Sequence, residues 1–202
     1  MTSGAVREDA AACLKDAGAD EVRIAFVDEA LAVFGGKNRE QLFSSMRKGY
    51  SLLYLAPGSK VPVWPYESAF LSTESGSSKR PILFRSRCAI DVEGRMREAG
   101  VMPRTANREP CDSIWDELSF MSYLYGCLGK ALCENCENDA EVWRSRISDF
   151  WTSHMAGWMF DFMDKTGVAS SRLSFGEEYA ALASVGEKLL EVIQSDAEGL
   201  GR

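Results

Sequence analysis

A chain of 202 residues with a net charge of -7 and a pI near 4.9 is long enough for one domain with its own core. It is too acidic for a nucleic-acid binder, whose phosphate contacts need clustered Lys and Arg, and an acidic surface favours a basic partner instead. No run reaches about eighteen apolar residues, and Met1 to Asp20 carries acids where an export signal carries an apolar stretch, so a cytoplasmic protein without stable membrane insertion is expected.

The first strongly periodic segment runs from Glu21 to Phe34, where Val22, Ala25, Phe26, Ala30, Val33 and Phe34 recur at helical spacing and Gly35-Gly36 stops the helix. Gly36-Lys37 is not a phosphate loop. A Walker motif needs Gly at Leu31 and Ser or Thr at Asn38, and no strand precedes it. Asn38 instead opens a second helix, with Leu42, Met46, Tyr50, Leu53 and Tyr54 on its apolar side, that continues to Leu55. From Ala56 to Ser78, prolines and a Ser/Gly run break the rhythm, which predicts a long loop. Val61, Val63, Trp64, Tyr66, Phe70 and Leu71 are too apolar for disorder, so the loop is expected to pack on the protein. Helical period returns from Phe84 to Ala99, with Cys88, Val92 and Met96 on one side, and Gly100 ends it before the polar link that leads to Arg108.

Two long amphipathic helices follow. The first opens on Glu109-Pro110-Cys111-Asp112-Ser113 and carries Ile114, Leu118, Met121, Tyr125, Leu128 and Leu132 on one stripe, with Asp112 and Ser113 as candidate caps. The second is expected to start at Asn138, in a capping box with Glu141, and to run through Trp143, Ile147, Phe150, Trp151, His154 and Trp158 to Phe162. A last helix, introduced by Ser174 and Glu177, carries Tyr179, Leu182, Val185, Leu189 and Ile193. No segment reads as a strand. The expected architecture is all-α, a single-domain bundle of about seven helices over residues 1–202 with one long apolar loop and a hinge at residues 103–108, as a monomer or a helix-swapped dimer.

Three stretches together resemble the TorD/DmsD chaperones. Tyr50-Ser-Leu-Leu-Tyr54-Leu-Ala-Pro57-Gly58 followed by Pro62-Val-Trp64-Pro65-Tyr66-Glu67-Ser68-Ala-Phe70-Leu71 is similar to that family's Tyr-x-x-Leu-Phe-x-Gly-Pro and Pro-Pro-Tyr-Glu-Ser-Val-Tyr segment. Glu109-Pro110-Cys111-Asp112-Ser113 through Met121 resembles its Glu-Pro-x-Asp-His and Glu-Leu-x-Phe-Met run, and Phe150-Trp151-Thr-Ser-His154-Met-Ala-Gly157-Trp158 its Phe-x-x-x-His-Leu-x-Pro-Trp helix. Ser113 replaces the family's histidine, and Gly157 replaces a proline, which is expected to remove a kink and straighten the helix.

The resemblance implies a non-catalytic cytoplasmic chaperone without a cofactor or bound metal. Its partners would be the twin-arginine signal peptide and catalytic subunit of a molybdenum-cofactor, DMSO-reductase-type oxidoreductase, held before export. Such a leader joins a basic segment to an apolar one, so its receptor needs carboxylates beside an apolar wall. The candidate peptide-binding residues are Tyr50, Leu53, Tyr54, Trp64, Pro65, Tyr66, Glu109, Pro110, Asp112, Glu117 and His154, with Asp116 adding to the acidic group. Each has a plainer role open to it: Asp112 as a cap, the aromatics as core, His154 as a hydrogen-bonded core histidine. Two other functions compete. Cys127, Cys133 and Cys136, near the end of the first long helix, would serve a zinc or iron-sulfur site, although a lone Cys-x-x-Cys lacks a second ligand pair. A ligand-sensing helical bundle would use His154 with Asp149 or Asp161, but no Glu-x-x-His pair marks a helical metal enzyme.

Overall fold

The computed structural model describes residues 3–16, 18–56, 60–76, 81, 83–102 and 109–200, and these are helical with no strand among them. The described elements are α1 (Ser3–Asp16), α2 (Glu21–Ala30), α3 (Arg39–Tyr50), α4 (Glu67–Glu74), α5 (Arg87–Glu98), α6 (Ile114–Cys133), α7 (Glu137–Phe150), α8 (Met159–Ser170) and α9 (Glu177–Leu200). A 3₁₀ turn, Leu31–Phe34, extends α2, and two π-helical turns extend α3 (Ser51–Leu55) and α7 (Trp151–Met155). None of these helices is long and apolar enough to cross a membrane. The residues expected to form a hinge, 103–108, lie outside the described set.

Two compact units divide the chain, one of Met1–Val63 with Phe160–Ile193, the other of Trp64–Met159 with Gln194–Arg202. In the first unit, Leu14, Val27, Leu31 and Phe34 form a buried cluster packed by Ile24, Leu42, Met46 and Val185. Asn38 and Gln41 make the reciprocal capping box that starts α3. The π turn after α3 is closed by the Ala56 N–H on the Ser51 carbonyl, and it turns Leu53 and Tyr54 inward while Leu52 and Leu55 stay exposed. Tyr54 stacks on Phe162 and meets Tyr179 edge-on, at ring separations of 5.8 and 5.7 Å. Glu178, wholly buried, receives Lys37 Nζ at 2.7 Å and Ser45 Oγ at 3.0 Å, so its charge is paired.

In the second unit α6 and α7 form an antiparallel hairpin joined by Glu134–Cys136, with Asn135 left-handed at the turn. Ser113 caps α6 by accepting from the Asp116 N–H, which leaves Ile114, Phe120, Met121, Leu124 and Leu128 on the buried face. Phe120 meets Phe150 edge-on at 4.8 Å across the hairpin, and Ser86 caps α5 through the Ala89 N–H.

Several local expectations are corrected. The stretch read as one long loop contains α4, because Glu67 to Glu74 completes two turns once Pro65 has set their entry. Its apolar content is absorbed by burial of Val63, Pro65, Ala69 and Phe70, the last against Trp158 at 5.6 Å. α7 begins at Glu137 after Cys136, with no side-chain cap, so Asn138 lies inside the helix and the Asn138/Glu141 box does not form. α9 starts directly after Gly176, and Ser174 lies in the preceding turn. The helix expected to run unbroken to Phe162 ends at the π turn, turns at residues 156–158, and resumes as α8. Gly157 does not straighten it; a glycine in a helix costs backbone entropy and permits the break that the proline would impose.

Gly49 marks where α3 comes closest to the segment between α8 and α9. A Cβ there would sit 2.7 Å from the Phe175 carbonyl oxygen and 2.8 Å from the Tyr179 ring, whereas one added at Gly94 in α5 meets nothing within 4 Å. Gly49→Ala is therefore expected to destabilise by about 1 to 3 kcal/mol in urea denaturation followed by helical circular dichroism. Gly94→Ala is expected to be neutral or to stabilise by up to about 1 kcal/mol.

Candidate functional site

The second unit's polar centre begins with a short exchange of backbone hydrogen bonds. Pro65 holds its segment extended, its carbonyl accepts from the Ile114 N–H at 2.9 Å, and the Glu67 N–H donates to the Asp112 carbonyl at 2.8 Å, pairing Tyr66 with Ser113 as an isolated antiparallel bridge. The starts of α4 and α6 are thereby held side by side. Tyr66, at the N-cap of α4, supplies no capping side chain. Asp112 does so from across the bridge, its Oδ2 accepting the Ser68 N–H at 3.1 Å. Of the two expected caps, Ser113 serves its own helix and Asp112 its neighbour.

The bridge gathers buried charge. Glu67, Asp112, Glu117 and His154 are all at most 5% exposed. His154, delivered by the π turn after α7, donates through Nδ1 to Glu67 Oε2 at 2.9 Å and through Nε2 to Asp91 Oδ2 at 2.7 Å, while its ring lies 5.2 Å from that of Phe150. Asp91, on α5, also receives Arg95 Nε at 2.8 Å, and Arg95 reaches on to Asp149 and Ser153. Glu117 Oε2 accepts from Trp158 Nε1 at 3.2 Å. Its Oε1, like Asp112 Oδ1, is buried with no hydrogen-bond partner among the described residues.

These surroundings set the protonation states. Burial pulls the His154 pKa down, but the hydrogen bonds and charges of Glu67 and the hydrogen bond to Asp91 outweigh it and leave the imidazole above its ordinary value. Asp91 lies below the usual carboxylate range, chiefly through Arg95, with His154 adding to it. Burial raises Asp112 and Asp116. Glu117 is raised well above its ordinary value, first by burial and then by the charges of Glu67 and Asp112.

The candidate residues sort by unit. Tyr50, Leu53 and Tyr54 belong to the first unit, where Leu53 is wholly buried and Tyr54 nearly so. Trp64, Pro65, Tyr66, Glu109, Pro110, Asp112, Glu117 and His154 belong to the second. There the Tyr66 hydroxyl donates to Glu109 Oε1 at 3.2 Å, and Asp116 accepts from Ser113 Oγ at 3.0 Å; Trp64, Tyr66, Glu109 and Asp116 are half-buried, whereas Pro65 and Pro110 are inside. Asp116 also lines a cleft of about 110 Å³ with Met96, Val101, Met102, Ser119, Phe120 and Tyr123, an apolar wall that periodicity does not reveal because it joins α6 to residues beyond the end of α5. Glu67 and Asp91 were equally invisible as partners of His154, although Glu67 stands in the motif shared with the TorD/DmsD chaperones. The cysteine trio is not gathered into a ligand group: Cys133 and Cys136 are exposed, and the one group of three metal-ligating side chains found among the described residues is Glu67, Cys88 and His154.

A family model, the nitrate reductase delta subunit, matches residues 15–164 of the chain. That span takes in every motif that carries the resemblance described above. The chain matches no curated protein and no solved structure.

The pKa shifts have a definite sign for stability. Groups raised in the folded state, here Asp112, Glu117 and His154, contribute stability that is complete below their unfolded values, about 4 for the acids and about 6.5 for histidine, and lost as pH rises through the folded values. Asp91 is shifted the other way, and its contribution is lost only below about pH 4. The melting temperature in chelator-treated buffer is thus expected to fall as pH rises from about 5 to 9. Glu117→Gln, which cannot ionise, is expected to show a shallower fall, and an unaltered slope would show that Glu117 titrates at its ordinary value.

Proposed function

Because the chain belongs to the nitrate reductase delta subunit family, a family of redox-enzyme maturation chaperones, we propose that it binds the twin-arginine leader of a molybdenum-cofactor oxidoreductase subunit and holds that subunit in the cytoplasm until it is ready for export. The observation that carries this reading is the juxtaposition of carboxylate and apolar wall in the second unit: Asp116 at the edge of the cleft formed by Met96, Val101, Met102, Phe120 and Tyr123. Glu109, close enough to raise the Asp116 pKa and already bonded to Tyr66, supplies a second carboxylate within reach of solvent. Guanidinium groups meet Glu109 and Asp116, and the leader's apolar segment enters the cleft.

The buried members of the motif have a supporting role in this reading. Asp112, Glu117 and His154 hold α4, α5 and α6 in register with the π turn, while Leu53 and Tyr54 fill the first unit's core and Tyr50 packs beside them. Arginine arriving at Asp116 offsets the burial that raises its pKa, so the contact is charge-assisted and strengthened by partial desolvation.

Titration of labelled leader peptides carrying either Arg-Arg or Gln-Gln, over a range of salt, tests this directly. The arginine peptide is expected to bind about tenfold or more tightly, as charge-assisted hydrogen bonds of about 1.5 to 3 kcal/mol require, and the gap is expected to narrow with salt. Glu109→Gln and Asp116→Asn each shrink the gap, whereas Met102→Ala weakens both peptides and leaves the salt dependence alone. Equal affinity for the two peptides would sink the arginine-carboxylate contact. No binding to any reductase leader would sink leader recognition as a whole.

A further inference from the structure

We propose that Glu67, Cys88 and His154 form a binding site for a first-row divalent transition metal, with Zn²⁺ the best match. The proposal goes beyond leader recognition and does not depend on it. One oxygen of Glu67, the Cys88 sulfur and one ring nitrogen of His154 all lie within 4.8 Å of one another, in an interior where Glu67 and His154 are buried and Cys88 is half-buried. A carboxylate, a thiol and an imidazole are the donor set of tetrahedral zinc, and they exclude Mg²⁺ and Ca²⁺, which take oxygen ligands.

Further features of the site point the same way. His154 turns Nδ1 toward Glu67 and the interior of the triad, while its far nitrogen, Nε2, is held at 2.7 Å by Asp91, which Arg95 holds in turn. A carboxylate on the outer nitrogen of a ligating histidine is the arrangement that orients the ring and raises its basicity toward metal. Glu117, whose Oε1 has no hydrogen-bond partner among the described residues, is buried in the same interior and lies close enough to Glu67 for the two charges to interact. Binding M²⁺ would release the Cys88 thiol proton, and any proton on the ligating His154 nitrogen, to solvent.

The test uses the full-length protein stripped with chelator and titrated with Co²⁺, a spectroscopic substitute for Zn²⁺. The expected result is saturation at one Co²⁺ per chain, with a thiolate-to-metal charge-transfer band in the near ultraviolet that an equivalent of Zn²⁺ abolishes. Cys88→Ser is expected to remove the band and weaken binding by about a hundredfold, and Asp91→Asn to weaken it by about 10- to 100-fold through the histidine. Asp91 is exposed on α5, so Asp91→Asn keeps the test decisive should Cys88→Ser fail to fold. The double variant Cys133→Ser, Cys136→Ser is expected to bind as wild type. The proposal is overturned by the absence of the charge-transfer band, by a band that survives Cys88→Ser or vanishes in the double variant, or by Co²⁺ affinity that Asp91→Asn leaves unchanged.

Discussion

The second unit depends on the pairing of the Pro65–Glu67 backbone with that of Asp112–Ile114. Neither segment belongs to a sheet, and each would otherwise leave amide groups unsatisfied at the start of a helix. Pairing them satisfies those groups and fixes the distance between α4 and α6. Asp112 can then cap α4 from outside while Ser113 caps α6 from within. A hydrogen-bond donor that would be orphaned in isolation becomes the means by which two helices are held in register.

Once the two helix starts are joined, several acidic side chains share one interior, and electrostatics decides the rest. Carboxylates packed this closely in low dielectric cannot all ionise without a counterion. His154 bridges Glu67 and Asp91, whose hydrogen bonds hold its pKa above the ordinary value, and burial with the charges of Glu67 and Asp112 raises that of Glu117. The histidine therefore acts as a strut between α4 and α5 through its two ring nitrogens. The same arrangement leaves a nitrogen, a thiol and carboxylate oxygens facing one another, which is why a structural cluster and a metal site can share residues.

The π turns occupy the two motif segments that mix core and polar duties. Ser51–Leu55 brings Tyr54 against Phe162 and Tyr179 in the first unit, and Trp151–Met155 brings His154 to its carboxylates in the second. A π turn widens the helix locally and recurs at functional positions, at a cost in regular hydrogen bonding that tertiary contacts must offset. At the edge of the cluster Glu109 and Asp116 stay half-buried, with the apolar cleft beside Asp116.

Local chemistry alone determined where most helices lie. The periodic stripes of α3, α5, α6 and α9, the helix start at Asn38 and the stops at Gly36 and Gly100 are visible in order along the chain, since each rests on contacts within a few residues. The family motifs were legible for the same reason, being short ordered strings. Which acid meets which base was decided only in three dimensions. His154 lies 87 residues from Glu67 and 63 from Asp91 in sequence, so no spacing rule joins them. α4 escaped notice because its two turns are held by Asp112 rather than by a cap of its own. The break at residues 156–158 escaped because glycine permits a turn without dictating one. Burial then separated the interior acids from those left at the surface, since the cost of desolvating a charge depends on what the fold has placed around it.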